Sequence, residues 1–316
     1  MTRLLEVRDL RVSFGGAAPP AVDGISLDLD EGETLGLVGE SGCGKSTTAL
    51  ALIRLLSGAR VAGRALLGGR DLLALDDAAM RRVRGAEVAM IFQDPGTALH
   101  PLIRVGEQVA ETLRAHGHAA AAAHERALSL FRQVGINAPE RRLRAYPHEL
   151  SGGMGQRVMI AAAIACGPRL LLADEPTTAL DVTVQAQILE LIREVARASG
   201  TAVLLITHDL GVVAGQADRV AVMYAGAIVE EAPTARLFAS PMHPYTQGLL
   251  GSVPALDAGW DEDLPTIPGH VGTAALVEGC RFAPRCPLAA PVCRAVPPLA
   301  EVAPGHRAAC WRAEPP

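Results

Sequence analysis

Lysine is almost missing from this chain. Of its 316 residues one is lysine, Lys45, against 28 arginines. Aromatic residues reach only 3% of a composition that is 49% hydrophobic, so the core has to be built from Leu, Val, Ile and Ala. No apolar run approaches the ~18 to 20 residues that a bilayer crossing requires. The first ten residues carry Arg3, Glu6, Arg8 and Asp9 and no apolar stretch, so no signal peptide is expected. A soluble chain of the cytoplasm is the expectation. A net charge of −5 argues against a general nucleic-acid binder. The six cysteines do not form a secreted disulfide framework, because four of them fall in the last 37 residues. The length suffices for one large domain and a smaller one.

The single lysine lies in Gly39-Glu40-Ser41-Gly42-Cys43-Gly44-Lys45-Ser46. An ammonium is a compact point charge on a thin stem, whereas a guanidinium fork is too broad for a loop closed around phosphate. Chance survival of one lysine is the plain alternative, but the neighbouring residues spell a phosphate loop on their own. The run Thr34–Val38 reads as a buried strand entering the loop, and Thr47–Leu56 as the helix leaving it. Loop glycines let backbone N–H groups turn onto phosphate oxygens, and the helix aims its positive end at the same place. Gly39, Ser41, Gly42, Cys43, Gly44, Lys45, Ser46 and Thr47 are the candidate nucleotide ligands. Lys45 would neutralise the β- and γ-phosphates, and Ser46 would offer its hydroxyl to Mg²⁺.

Further along, residues 104–165 are rich in Ala, Leu, Glu and Arg at helical spacing, and a mostly helical insertion is expected there. Leu170–Ala173 and Ala202–Thr207 read as buried parallel strands, with the helix Gln185–Ala198 between them. The first of these strands ends in two acids, Asp174 and Glu175. Asp174 would hold the metal through water, and Glu175 would polarise the attacking water or accept its proton. A surface turn with two solvated carboxylates is the alternative; the upstream phosphate loop weighs against it. Prolines multiply after residue 233, and a loop-rich tail follows a domain change near 255. Cys43 and Cys166 are expected to be packing residues and not chemistry, although the place of Cys43 near a helix N-terminus favours thiolate.

The segment Leu150-Ser151-Gly152-Gly153-Met154-Gly155-Gln156 resembles the signature motif of ABC-type ATPases. The other elements of that family follow in order, over roughly residues 4–250. The resemblance implies that Ser151, Gly152, Gly153 and Gln156 act in trans on the γ-phosphate held by a partner subunit. It implies that Gln93 reaches metal and water and senses the membrane partner. Asp181, in Ala179-Leu180-Asp181, matches the segment that crosses the dimer interface. His208 matches the switch histidine, and Phe14 the aromatic that stacks on adenine. Catalytic roles thus fall to Glu175, His208 and Gln93, with Mg²⁺ held by Ser46, Gln93 and Asp174. The implied fold is α/β: a P-loop core with a RecA-like parallel sheet, an antiparallel β subdomain and an inserted helical subdomain. Relatives usually carry arginine where this chain has Gly155. Glycine there costs about 1 kcal/mol of helix propensity and removes a cation near the interface.

Ser240-Pro241-Met242-His243-Pro244-Tyr245-Thr246 resembles the element that opens the C-terminal extension of dipeptide, oligopeptide and nickel importer ATPases. In the tail stand Cys280, Cys286, Cys293 and Cys310, without the Cys-x₂-Cys spacing of most structural zinc sites. Four thiolates suit an iron–sulfur cluster, and the resemblance implies [4Fe–4S]. Zinc is the second choice and unligated thiols the third, because ligand count alone does not select a metal. His306 is a spare candidate ligand, with a solvated histidine preferred. The expected organisation is a nucleotide-binding domain over 1–255, with its helical subdomain at about 94–165, and an extension over 256–316. The implied function is ATP hydrolysis driving import of peptides. The implied partners are two permease subunits, an exported binding protein and a second ATPase chain, in a heterodimer or a homodimer, at the cytoplasmic face of the membrane. A nickel or other small-solute importer is the near alternative, and a soluble ABC ATPase outside transport the distant one.

Overall fold

The computed structural model describes residues 2–16, 19–178, 180–252, 266–269 and 278–313. The domain change expected near 255 lies outside the described residues. Twelve strands occur among those described: β1 Arg3–Ser13, β2 Val22–Asp30, β3 Thr34–Val38, β4 Arg60–Leu67, β5 Arg70–Asp71, β6 Val88–Ile91, β7 Leu170–Asp174, β8 Ala202–Thr207, β9 Arg219–Tyr224, β10 Ala227–Pro233, β11 Ala300–Ala303 and β12 His306–Ala308. The chain divides into two compact units. One comprises Met1–Leu4, Leu29–Glu33 and Ala74–Ile206, and the other Leu5–Asp28, Thr34–Leu73 and Thr207–Pro316.

In the first unit β6, β7 and β8 run parallel, with Val88 opposite Leu170 and Leu170 opposite Ala202. All three strands are buried along their length, which is why they read as unbroken apolar runs. The helical insertion contains the helices Val105–Ala115, Ala120–Gln133 and Gly152–Ala163. Gly106 permits one of its close approaches, since a Cβ there would press on Leu143. The helix Val182–Ser199 is capped by Asp181, whose carboxylate accepts from Val184 N at 2.9 Å.

In the second unit β1, flanked by β2, pairs antiparallel with β4, and β4 with β5. A second set places β3 parallel to β9, then β10, β12 and β11 antiparallel in turn. The turn joining β9 to β10 is only Ala225 and Gly226, both with left-handed backbones (φ 45° and 85°), the pattern that suits the twist of a hairpin. The hairpin braces the phosphate loop, because Gly226 N donates to Cys43 O at 2.9 Å.

Scarce aromatic residues are concentrated where the tail meets this unit. Phe282, 2% exposed, lies 5.3 Å and 5.4 Å by ring centroid from Tyr224 and Tyr245. Such pairs add about 0.5–1.5 kcal/mol beyond the area they bury. The tail is therefore less loop-like than expected: two 3₁₀ turns, Ala283–Arg285 and Pro291–Arg294, precede β11 and β12.

Packing around the loop yields a direct expectation. A Cβ on Gly39 would collide with the carbonyl oxygen of Met223 in β9. Gly39→Ala should cost about 2 kcal/mol and lower the thermal midpoint by about 5 °C, read by calorimetry. A midpoint within about 1 °C of the parent would contradict this packing.

Candidate nucleotide site

Strand β3 delivers the loop, and the helix Lys45–Leu52 carries it away. Gly42 and Gly44 take left-handed backbones (φ 80° and 108°) that turn the chain tightly. Lys45 is 4% exposed. Its Nζ donates to Gly39 O at 2.7 Å and to Glu40 O at 3.0 Å, folding the ammonium back across the loop. Ser46 and Thr47 stand half-buried in the first turn, and Ser41 is exposed beside Gly42. Phe14 follows β1 and is 47% exposed, a flat apolar face open to solvent. His208 comes directly after β8 and is exposed, while Asp209 caps the following helix through Gly211 N at 2.7 Å.

In the other unit β7 ends in buried Asp174, and Glu175 takes a left-handed backbone with φ 45°. A non-glycine residue held there costs about 1–3 kcal/mol, and such positions cluster at functional sites. Its Oε2 accepts from Gln93 Nε2 at 3.0 Å and from Thr178 Oγ1 at 3.0 Å. The structure thus joins Gln93 and Glu175, two of the residues singled out in the sequence. Ser151 caps the helix Gly152–Ala163, accepting from Met154 N. Gly153 allows that helix to approach Val184, the side chain a Cβ would strike. Asp181 holds the start of the next helix, and Ala179 lies outside the described residues. Gln156 is buried, and its Nε2 has no hydrogen-bond partner among the described residues. The Ser46 hydroxyl in one unit, and the Gln93 amide and Asp174 carboxylate in the other, are each oxygen donors of the hard kind that Mg²⁺ requires.

A separate pocket collects Cys280, Cys286, Cys293 and Cys310, closed by Phe282 and Trp311. Burial pushes the thiols of Cys280, Cys286 and Cys310 up, and neighbouring thiols in the pocket raise each of them further. Four sulfur donors around one apolar hollow fit a thiolate-held group in kind and number. Among the described residues no three or more His, Cys, Asp and Glu side chains already stand in an arrangement able to hold a metal ion. His306 is not the solvated residue expected. It is fully buried, with Nε2 2.7 Å from Glu230 Oε1, and it does not line the pocket. Glu230 also accepts from Met242 N at 2.6 Å and His243 N at 3.0 Å, which accounts for a buried carboxylate. His243 caps the helix Pro244–Gly251, and burial lowers its pKa to about 4.

Two family models match the chain: one described as ABC transporter over residues 22–178, and one described as the oligopeptide/dipeptide transporter C-terminal region over 229–293. A Sinorhizobium fredii protein named "Probable peptide ABC transporter ATP-binding protein y4tR" is 55% identical, covering 98% of this chain and 95% of the relative. The chain belongs to the ABC transporter family, in its oligopeptide/dipeptide branch. The oligopeptide transport ATP-binding protein OppD of Salmonella typhimurium is 50% identical over 98% of this chain and 93% of its own length. Among solved structures, the dimeric ATP-binding cassette MJ0796 bound to ADP and Pi superposes with a TM-score of 0.66 at 27% identity. That match covers 73% of this chain and 99% of MJ0796.

Within this ABC transporter chain Cys43 is the buried packing residue expected, and burial outweighs the nearby Lys45 and pushes its thiol up, so the helix N-terminus does not poise it as thiolate. Gly155 is buried, and a Cβ there would stand 3.3 Å from the Pro95 side chain, a tight contact that leaves little room for a larger residue. The sequence reading missed Glu40 and Arg285. Their carboxylate and guanidinium meet at 2.7 Å and 2.9 Å across 245 residues of sequence, a separation that no local pattern bridges.

Proposed function

We propose that this chain is the ATP-hydrolysing subunit that powers import of peptides through a membrane ABC transporter. The observation that carries the reading is the phosphate loop. One buried lysine is folded into a glycine turn between a strand and a helix, in a chain whose later residues match the oligopeptide/dipeptide C-terminal region. Lys45 and the loop N–H groups would bind the triphosphate, with Phe14 beneath the adenine. Ser46, Gln93 and Asp174 would hold Mg²⁺, which would neutralise charge on the phosphate oxygens. Glu175, oriented by Gln93 and Thr178, would accept the proton of the attacking water, and His208 would contact the γ-phosphate. Ser151, Gly152, Gly153 and Gln156 would serve the neighbouring ATPase subunit, with Asp181 at their interface. The dimeric state of MJ0796 supports that pairing.

No described helix is long and apolar enough to cross a membrane, so the pore is assigned to two permease subunits. Leu102, 80% exposed beside Ile103 and Tyr146, supports a docking face for them in the helical subdomain. The rest of the reading follows the branch: an exported binding protein supplies the peptide, and the chain sits at the cytoplasmic face of the membrane. The division into a nucleotide-binding domain over 1–255 and an extension over 256–316 belongs to the same proposal. Cys280, Cys286, Cys293 and Cys310 would hold a [4Fe–4S] cluster that staples the extension.

The test is uptake. Cells lacking this chain should lose uptake of labelled oligopeptides, recover it with the parent chain, and fail to recover it with Glu175→Gln. Normal peptide uptake with loss of nickel uptake would reverse the substrate assignment. Anaerobically purified protein should show a broad visible absorption that dithionite bleaches; a colourless, zinc-containing sample would remove the cluster.

A further inference from the structure

Glu40 sits within the nucleotide loop without any of the phosphate roles assigned to its neighbours. It places a carboxylate inside a loop built to receive phosphate, which is electrostatically adverse. Arg285 answers it from the C-terminal extension. Its guanidinium grips both carboxylate oxygens, at 2.7 Å and 2.9 Å, and its Nε donates to Pro268 O at 2.7 Å. The Arg285 side chain is 5% exposed, so this is a fixed clamp and not a surface pair. From the other side, Glu40 N donates to the Tyr245 hydroxyl at 2.9 Å, while Glu40 O receives Lys45 Nζ.

Arg285 does not line the cysteine pocket, but it stands directly before Cys286, which does. Arg285 closes the 3₁₀ turn Ala283–Arg285, which begins with Ala283 N donating to Cys280 O and ends with Cys286 N donating to Ala283 O. Two of the four pocket cysteines therefore bracket the turn that aims the guanidinium. The backbones of Cys280 and Cys286 are hydrogen-bonded into that turn, so a displacement of either backbone would move Arg285 with it.

We propose that Arg285 transmits the state of the four-cysteine pocket to the phosphate loop, by holding the Glu40 carboxylate away from the bound triphosphate. Arg285 is a positioning residue, and the proposal rests on the ATP-binding reading above. Freed from its clamp, Glu40 repels the nucleotide. Binding weakens while the chemical step is untouched, so the effect falls on KM and not on kcat.

The experiment measures ATP affinity and steady-state hydrolysis of the full-length chain, purified anaerobically, with its thermal midpoint. Arg285→Gln should weaken ATP binding about tenfold, the worth of a charge-assisted hydrogen-bonded pair, with kcat within about twofold of the parent. Adding Glu40→Gln should restore affinity to within about threefold, because the unpaired carboxylate is gone. Cys286→Ser should weaken binding in the parent and have no further effect beside Arg285→Gln. A merely structural arginine would lower the midpoint in the single and double variants alike and leave affinity unrescued; that result overturns the proposal. So does parent-like affinity in Arg285→Gln, or a Cys286→Ser effect of equal size in both backgrounds. Should Arg285→Gln fail to fold, Arg285→Lys, which keeps the charge and loses the fork, decides by the same criteria. A parent chain that binds no ATP would instead defeat the nucleotide reading itself.

Discussion

Glu175→Gln leaves ATP bound and its hydrolysis stopped. Glutamine keeps the shape of the side chain and the space around it, but it cannot accept a proton. A positioned general base contributes about 10²–10⁴-fold, so turnover should fall about a thousandfold while the ATP dissociation constant stays within about threefold. The hydrogen bonds described above make this substitution clean. One carboxylate oxygen of Glu175 receives both Gln93 Nε2 and Thr178 Oγ1, and an amide oxygen can receive the same two donors. Phosphate release and equilibrium ATP binding, measured side by side, give the answer. Hydrolysis that persists in the variant removes Glu175 from the chemistry.

Lys45→Arg should abolish nucleotide binding as completely as Lys45→Ala, a loss of about a hundredfold or more. The charge is conserved, so pure electrostatics predicts little change. Geometry predicts otherwise. The ammonium is nearly buried and reaches two carbonyl oxygens of its own loop, those of Gly39 and Glu40. Behind the loop stands the Met223 carbonyl that already forbids a Cβ at Gly39. A planar fork has no room to turn there. Affinity for a fluorescent ATP analogue measures the difference, and binding retained by the arginine variant would return the solitary lysine to coincidence.

The nucleotide motifs were legible because their residues are close in sequence. A loop with its strand and helix, or two acids after four apolar residues, needs no distant partner to be recognised. Strands β3, β7 and β8 likewise announce themselves as short apolar runs. The helix after the loop ends at Leu52 and not at Leu56, because Arg54 takes a left-handed backbone with φ 52° where a glycine would have been the signal. Strand β10 was hidden by Glu230 and Glu231, acids buried in its middle. Besides nearer partners in Arg219, Met242 and His243, they meet His306 and Arg307, which come 76 residues later. The hairpin turn before β10 carries Ala225 where Asn or Asp usually marks the place. The clamp between Arg285 and Glu40 was out of reach for the same reason: its logic is purely tertiary.

Strand β12 lies along β10, with Glu230 opposite Ala308 and Glu231 opposite Arg307. A bare β10 would offer unpaired N–H and C=O groups on which foreign chains can template. The polypeptide stoppers that row with its own later strands, and the stopper also gives the acids beneath their hydrogen-bond partners His306 and Arg307. Cutting the cassette free of its tail would therefore expose a sticky rim and strand a buried carboxylate. The extension works as the closing stave of the sheet as much as a bearer of cysteines.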